Sequence, residues 1–166
     1  IVLFDPVIIP RSAVPGPDAP PMSESPLAQG ARRRRAVFAD RAAVLAAYTG
    51  RGAFASWSGT QLADYVAAGF KDREDGQVEL ACAPAWEAAN FSSPDPGGVA
   101  AFAAGTAPVR VLRAEFGSTC RVDGLEDELV ATGRVTFETV AGASHFLPME
   151  RPELVRETLA DAAAAD

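Results

Sequence analysis

His145 is the only histidine in the 166 residues. An imidazole titrates near neutral pH, so a histidine held in a loop can act as a general base. His145 lies in Ala141–Pro152, which reads Ala-Gly-Ala-Ser-His-Phe-Leu-Pro-Met-Glu-Arg-Pro. Such a base needs a carboxylate to orient it and a nucleophile to deprotonate. Asp5 is the first candidate acid. It follows the fully apolar run Ile1-Val2-Leu3-Phe4, where a lone buried carboxylate would be costly; its plainer role is to start the turn at Pro6. Glu115 is the second candidate, just past the expected strand Pro108–Ala114. Glu138 is expected to pair with an arginine or face solvent. Glu150 suits the N-terminus of a following helix. Trp57 and Phe146 are the candidate substrate contacts, with Phe54 and Tyr65 as further aromatic wall residues. Core packing is the competing role for all four.

The elements that must position these residues follow from pattern. Ile1–Phe4 has no polar alternation, as expected of a parallel strand covered on both faces. Pro10 to Pro26 is too rich in proline for a helix or a central strand and is expected to be a loop. Leu27 to about Phe38 is expected to be a helix. Asp40 should cap a helix over Arg41–Thr49, and Thr60 one over Gln61–Gly69. Lys71–Gly76 reads as a charged turn, Gln77–Cys82 as a short extended segment, Pro84–Phe91 as a short helix and Ser92–Gly98 as a loop. Pro108–Ala114 is the next strand, Leu125–Ala131 a helix, and Val135–Val140 the last strand. His145 then stands in a loop before a helix over about Arg151–Ala164, whose apolar face is Leu154, Val155, Thr158 and Leu159. The alanine-rich tail Asp161–Asp166 should fray. Open α/β sheets place ligand sites at the carboxyl ends of their strands, which is where His145 falls.

Composition narrows the function classes. The net charge of −7 argues against nucleic acid and anionic membrane as partners. Arg32–Arg35 is the one basic run, and a solvated helix face accounts for it. A nucleic-acid role for that run is the weakest alternative and would show as salt-dependent binding. No apolar run approaches the ~20 residues of a membrane span. Cys82 and Cys120 have no CxxC spacing, and one histidine with two scattered cysteines makes no metal set. No cofactor is expected, and the thiols fit a reducing, cytoplasmic setting. The opening Ile1–Phe4 lacks the basic start and long apolar core of a signal peptide. It reads as a strand already under way, so a preceding N-terminal portion is expected.

Strand, helical block, strand, helix, strand, histidine loop and helix, with Leu3-Phe4-Asp5-Pro6 and Ser144-His145-Phe146-Leu147-Pro148-Met149-Glu150 as its best marks, resembles the C-terminal part of the α/β-hydrolase family. The resemblance implies an α/β fold: the last parallel strands of the sheet, with an inserted helical cap. It divides the chain into residues 1–25 (strand, acid loop and linker), 26–100 (cap) and 101–166 (core with the histidine loop). It implies a triad in the chain order nucleophile, acid, histidine. In many members the acid follows the penultimate strand, and Gly117 stands near that place here, a departure from the pattern. In others the acid ends the strand before the cap, which is where Asp5 stands. No Gly-x-Ser-x-Gly occurs; neither Ser118 nor Ser144 has its pair of flanking glycines. The nucleophile and oxyanion hole are therefore expected on the missing N-terminal segment of the same protein. The function implied is hydrolysis of an ester-like small molecule, with His145 as base and Asp5 as acid and no activity in this chain alone. The alternative is a non-catalytic module of the same fold that binds a partner.

Overall fold

The apolar run at the start of the chain pairs in parallel with a strand more than 100 residues later. In the computed structural model, β1 (Val2–Phe4) sets Leu3 opposite Val111. The structure describes residues 1–164 except Arg11, Ala13, Pro15, Pro17, Ala19, Pro94, Pro96 and Asp123. The loops expected over Pro10–Pro26 and Ser92–Gly98, and the fraying tail, lie partly outside the described residues. After β1 the elements are α1 (Pro26–Arg32), β2 (Val37–Phe38), α2 (Arg41–Tyr48), α3 (Gly59–Gly69), β3 (Phe70–Asp72), β4 (Val78–Leu80) and α4 (Pro84–Ser92). They continue as α5 (Gly98–Ala104), β5 (Val109–Phe116), α6 (Glu126–Ala131), β6 (Val135–Ser144), α7 (Leu147–Glu150) and α8 (Pro152–Ala164). The chain divides into two compact units, residues 1–14 with 95–166, and residues 15–94.

The first unit is a parallel sheet in the order β1-β5-β6. Val111 and Leu112 are neighbours on the central strand and point to opposite faces, yet neither is exposed. Both faces are therefore covered, as a parallel sheet requires. On one face Val111 packs with Ile8, Phe102 of α5, Val122, Leu129 of α6 and Val135. On the other, Leu112 packs with Ala143 and Leu147 of α7, flanked by Leu154 and Val155 of α8. The expected α/β class with parallel strands and covering helices is what the sheet shows. Neither α5 nor the four-residue α7 is expected from the sequence.

The second unit holds more strand than the helical block expected, in which only Gln77–Cys82 is read as extended. It contains an antiparallel sheet in the order β2-β4-β3. The helix expected over Leu27–Phe38 stops at Arg32, and Val37–Phe38 pairs instead with Val78 and Glu79. Burial of the Phe38 ring decides this: the ring meets Tyr48 and Phe70 edge-on, each at 5.7 Å. Only the start of the arginine run is a solvated helix face: Arg32, in α1, and Arg33 are exposed. Arg34 makes a bidentate pair with Glu87 at 2.8 and 2.7 Å and reaches the Tyr48 and Tyr65 hydroxyls. Arg35 lies 4.3 Å over the Phe38 ring. Asp40 caps α2 as expected, its Oδ1 accepting from Ala43 N–H at 2.7 Å. α3 is capped by Ser58 rather than Thr60. The charged turn after α3 is shorter than expected, because Phe70–Asp72 joins the sheet. Among the described residues, no helix is long and apolar enough to cross a membrane.

Candidate active site

Three neighbouring strands end at the same edge of the parallel sheet, and each delivers part of the site. Asp5 follows β1, Ser118 and Thr119 follow β5, and His145 follows β6. Asp5 adopts φ +41°, a left-handed conformation that costs a non-glycine residue about 1–2 kcal/mol. Its environment enforces it. The Asp5 N–H donates to Leu112 O at 2.7 Å, and the side chain meets Ala114 of β5.

The Asp5 carboxylate is 1% exposed and fully engaged. Oδ1 accepts from Ala114 N–H at 2.9 Å and from the Ser118 hydroxyl at 2.6 Å. Oδ2 accepts from Thr119 N–H at 3.1 Å and lies 2.9 Å from His145 Nδ1. Burial pushes this carboxyl up. The Ser118 hydroxyl, the Ala114 N–H, His145 and the Thr119 N–H together outweigh burial and hold it below the ordinary 3.8. An ionised carboxylate only accepts, so Nδ1 carries the proton and the lone pair of neutral His145 sits on Nε2. The imidazole is 38% exposed, open enough to receive a reacting group.

A depressed carboxyl adds stability that is complete above the unfolded value, about 3.8, and is lost as pH falls through the lower folded value. Stability is therefore expected to fall more steeply with pH below about 4 in the native protein than in Asp5→Asn. Urea midpoints measured between pH 6 and pH 3 test this, and parallel slopes for the two proteins would contradict it.

The histidine loop is braced from both sides. Ser144 N–H and Oγ–H each donate to Glu150 at 2.7 Å, and Phe146 N–H donates to Ser144 Oγ at 3.2 Å. Glu150 thus closes α7 and holds the residues flanking His145, rather than favouring the start of α8 as expected. Upstream, Gly142 at φ +68° donates its N–H to Glu115 Oε2 at 2.7 Å, and its carbonyl accepts from Arg151 at 3.1 Å. A Cβ there would come within 3.1 Å of the Arg151 guanidinium. Glu115, the rival acid, is spent on this brace and does not meet His145.

Glu138 pairs with Arg110 at 2.9 Å on the exposed sheet surface. Phe146 lies beside His145, ring centres 5.6 Å apart. Trp57 belongs to the second unit, where it packs edge-on against Phe54 and Tyr65 at 5.0 and 5.6 Å. Cys120 is buried, and burial pushes its thiol up to about 11, so it is not a thiolate at neutral pH. Ser118, excluded above as an elbow serine, and Thr119 carry no motif that marks them as partners of Asp5 and His145. Their only signal was two adjacent hydroxyls after Gly117, where the chain turns at φ +62° past the end of β5. Among the described residues, no three His, Cys, Asp or Glu side chains gather as a metal set.

No family model and no curated protein matches the sequence. Solved structures do. The peroxisomal α/β-hydrolase Lpx1 from Saccharomyces cerevisiae superposes with a TM-score of 0.71 at 17% identity, over 99% of this chain and 46% of that one. E-2-(acetamidomethylene)succinate hydrolase superposes with a TM-score of 0.54 at 24% identity, over 87% of this chain and 54% of that one. The chain has a partial α/β-hydrolase fold. It spans about half the length of the structures it matches. Within this partial α/β-hydrolase fold, Asp5, Ser118, Thr119 and His145 occupy the carboxyl edge of the sheet, the ligand edge of open α/β folds generally.

Proposed function

We propose that this chain supplies the acid and the histidine of a nucleophile–histidine–acid triad that hydrolyses an ester-like bond in a small molecule. The observation that carries the reading is the 2.9 Å contact between buried Asp5 and part-exposed His145. A carboxylate on Nδ1 sets the tautomer in which Nε2 can accept a proton, and it stabilises the imidazolium that results. In the first step Nε2 takes the proton of an attacking hydroxyl and passes it to the leaving group. Water then repeats the sequence on the acyl intermediate, and the nucleophile is restored. On this reading the nucleophile belongs to polypeptide outside these 166 residues, and this chain alone is inactive. Phe146, beside the imidazole, then offers an apolar contact to the acyl group.

The test uses the full-length protein that carries this sequence. It is expected to release nitrophenol from p-nitrophenyl acyl esters. Rapid acid quench should trap the acyl group on a residue outside Ile1–Asp166, seen as a mass increment on one peptide. A folded full-length protein that turns over none of a series of acyl chain lengths would overturn the reading. So would an acyl group found within these residues.

A further inference from the structure

We infer that Thr119 is a positioning residue for both members of the pair, locking Asp5 and His145 into one geometry through its own side chain and backbone. The inference rests on the triad reading for its catalytic consequence, though not for its structural one. Thr119 bonds at every polar atom it has. Its N–H donates to Asp5 Oδ2 at 3.1 Å. Its carbonyl accepts from Ile8 N–H at 3.0 Å and from Arg121 N–H at 3.1 Å. Its hydroxyl lies 3.0 Å from His145 Nδ1, 3.2 Å from Asp5 O and 3.3 Å from Asp5 Oδ2.

The proton count of the hydroxyl assigns its role. A hydroxyl has one proton to donate and lone pairs to accept with. Nδ1 carries its proton, because it faces an ionised carboxylate. The hydroxyl oxygen must therefore accept from Nδ1–H at this 3.0 Å contact. Its own proton then goes to Asp5, whose main-chain carbonyl is the nearer acceptor. Nδ1–H is thus shared between Asp5 Oδ2 and Thr119 Oγ1. Two acceptors fix the ring plane where one would leave it free to swing about a single bond. The hydroxyl's donation also ties down the backbone of Asp5, which sits in its strained left-handed conformation. Aim of Nε2 therefore depends on Thr119. Misplacing a base by a fraction of an ångström lowers turnover without weakening substrate binding.

The experiment compares Thr119→Val, which keeps the shape and removes the hydroxyl, with Thr119→Ser, which keeps the hydroxyl. Both are made in the full-length protein. The first readout is the His145 Nδ1–H proton resonance, assigned by its loss in His145→Ala. The second is the kinetic split on p-nitrophenyl ester. In Thr119→Val the resonance is expected to move upfield and exchange faster with water. Its kcat should fall about five- to tenfold with KM unchanged, the worth of roughly one hydrogen bond. Thr119→Ser should restore both. Should Thr119→Val fail to fold, Thr119→Ala removes the same hydroxyl with less steric demand.

An unmoved resonance in the folded hydroxyl-less variant overturns the inference. Equal kinetic loss in the serine and valine variants also overturns it, because that marks packing rather than the hydroxyl. A shifted resonance in a protein with no esterase activity is a separate outcome. It defeats the triad reading and leaves the Thr119 assignment standing.

Discussion

Replacing His145 by alanine in the full-length protein is expected to lower kcat for ester hydrolysis by about 10⁴-fold or more, with KM changed little. The imidazole enters both halves of the proposed reaction, as base and then as acid. Asp5→Asn should approach the same loss, also about 10⁴-fold, for a reason specific to this site. Oδ1 accepts from Ala114 N–H and Ser118, and Oδ2 from Thr119 N–H, so each oxygen faces a backbone N–H donor. An amide must turn its NH2 toward one of these sets. If the NH2 faces His145, Nδ1 is forced to accept and the proton moves to Nε2, which disables the base. If it faces Ala114 and Ser118 instead, donor meets donor at a buried site, and the loop after β5 must shift. Steady-state kinetics on p-nitrophenyl esters, with circular dichroism to establish folding, measures both variants. Activity in His145→Ala within tenfold of the native protein would defeat the triad reading.

The largest expected loss of stability lies in the other unit. Phe38→Ala should destabilise it by about 3–5 kcal/mol, the range for deleting a buried aromatic ring. Phe38 is 2% exposed, and its ring is shared among Tyr48, Phe70 and the guanidinium of Arg35. Those groups sit on α2, β3 and the approach to β2, so no single neighbour can relax to fill the space. Phe91, by contrast, is 37% exposed, and Phe91→Ala is the control expected to cost much less. Both tryptophans of this sequence, Trp57 and Trp86, lie in residues 15–94. Guanidinium unfolding followed by their fluorescence therefore reports on this unit. A loss below about 1 kcal/mol for Phe38→Ala would mean that the ring is not the centre of this core.

What the sequence determined by itself was local. Ile1–Phe4 is a continuous apolar run, Pro108–Ala114 carries Val109, Val111 and Leu112, and Val135–Val140 is β-branched and aromatic, compositions that favour strand. The caps Asp40 and Ser58 act within three residues, so capping chemistry is legible, although the choice of Ser58 over Thr60 was not. His145 stood out because it is a single titratable group between a strand and a helix. What only the tertiary structure decided was every pairing across long separations. Asp5 and His145 are 140 residues apart and meet because β1 and β6 both flank β5. Asp5 rather than Glu115 meets His145, while Glu115 accepts from the Gly142 N–H. Ser118 and Thr119 carry no periodic signal at all. Their role exists only because β5 ends beside β1 and presents two hydroxyls to a buried carboxylate. The same reason hid β2: a two-residue strand has no period, and Val37–Phe38 is extended because β4 lies alongside it and the Phe38 ring is buried. Local pattern sets which segments can be strand or helix. The hydrogen bonds and burial made between distant segments decide which residues become a site.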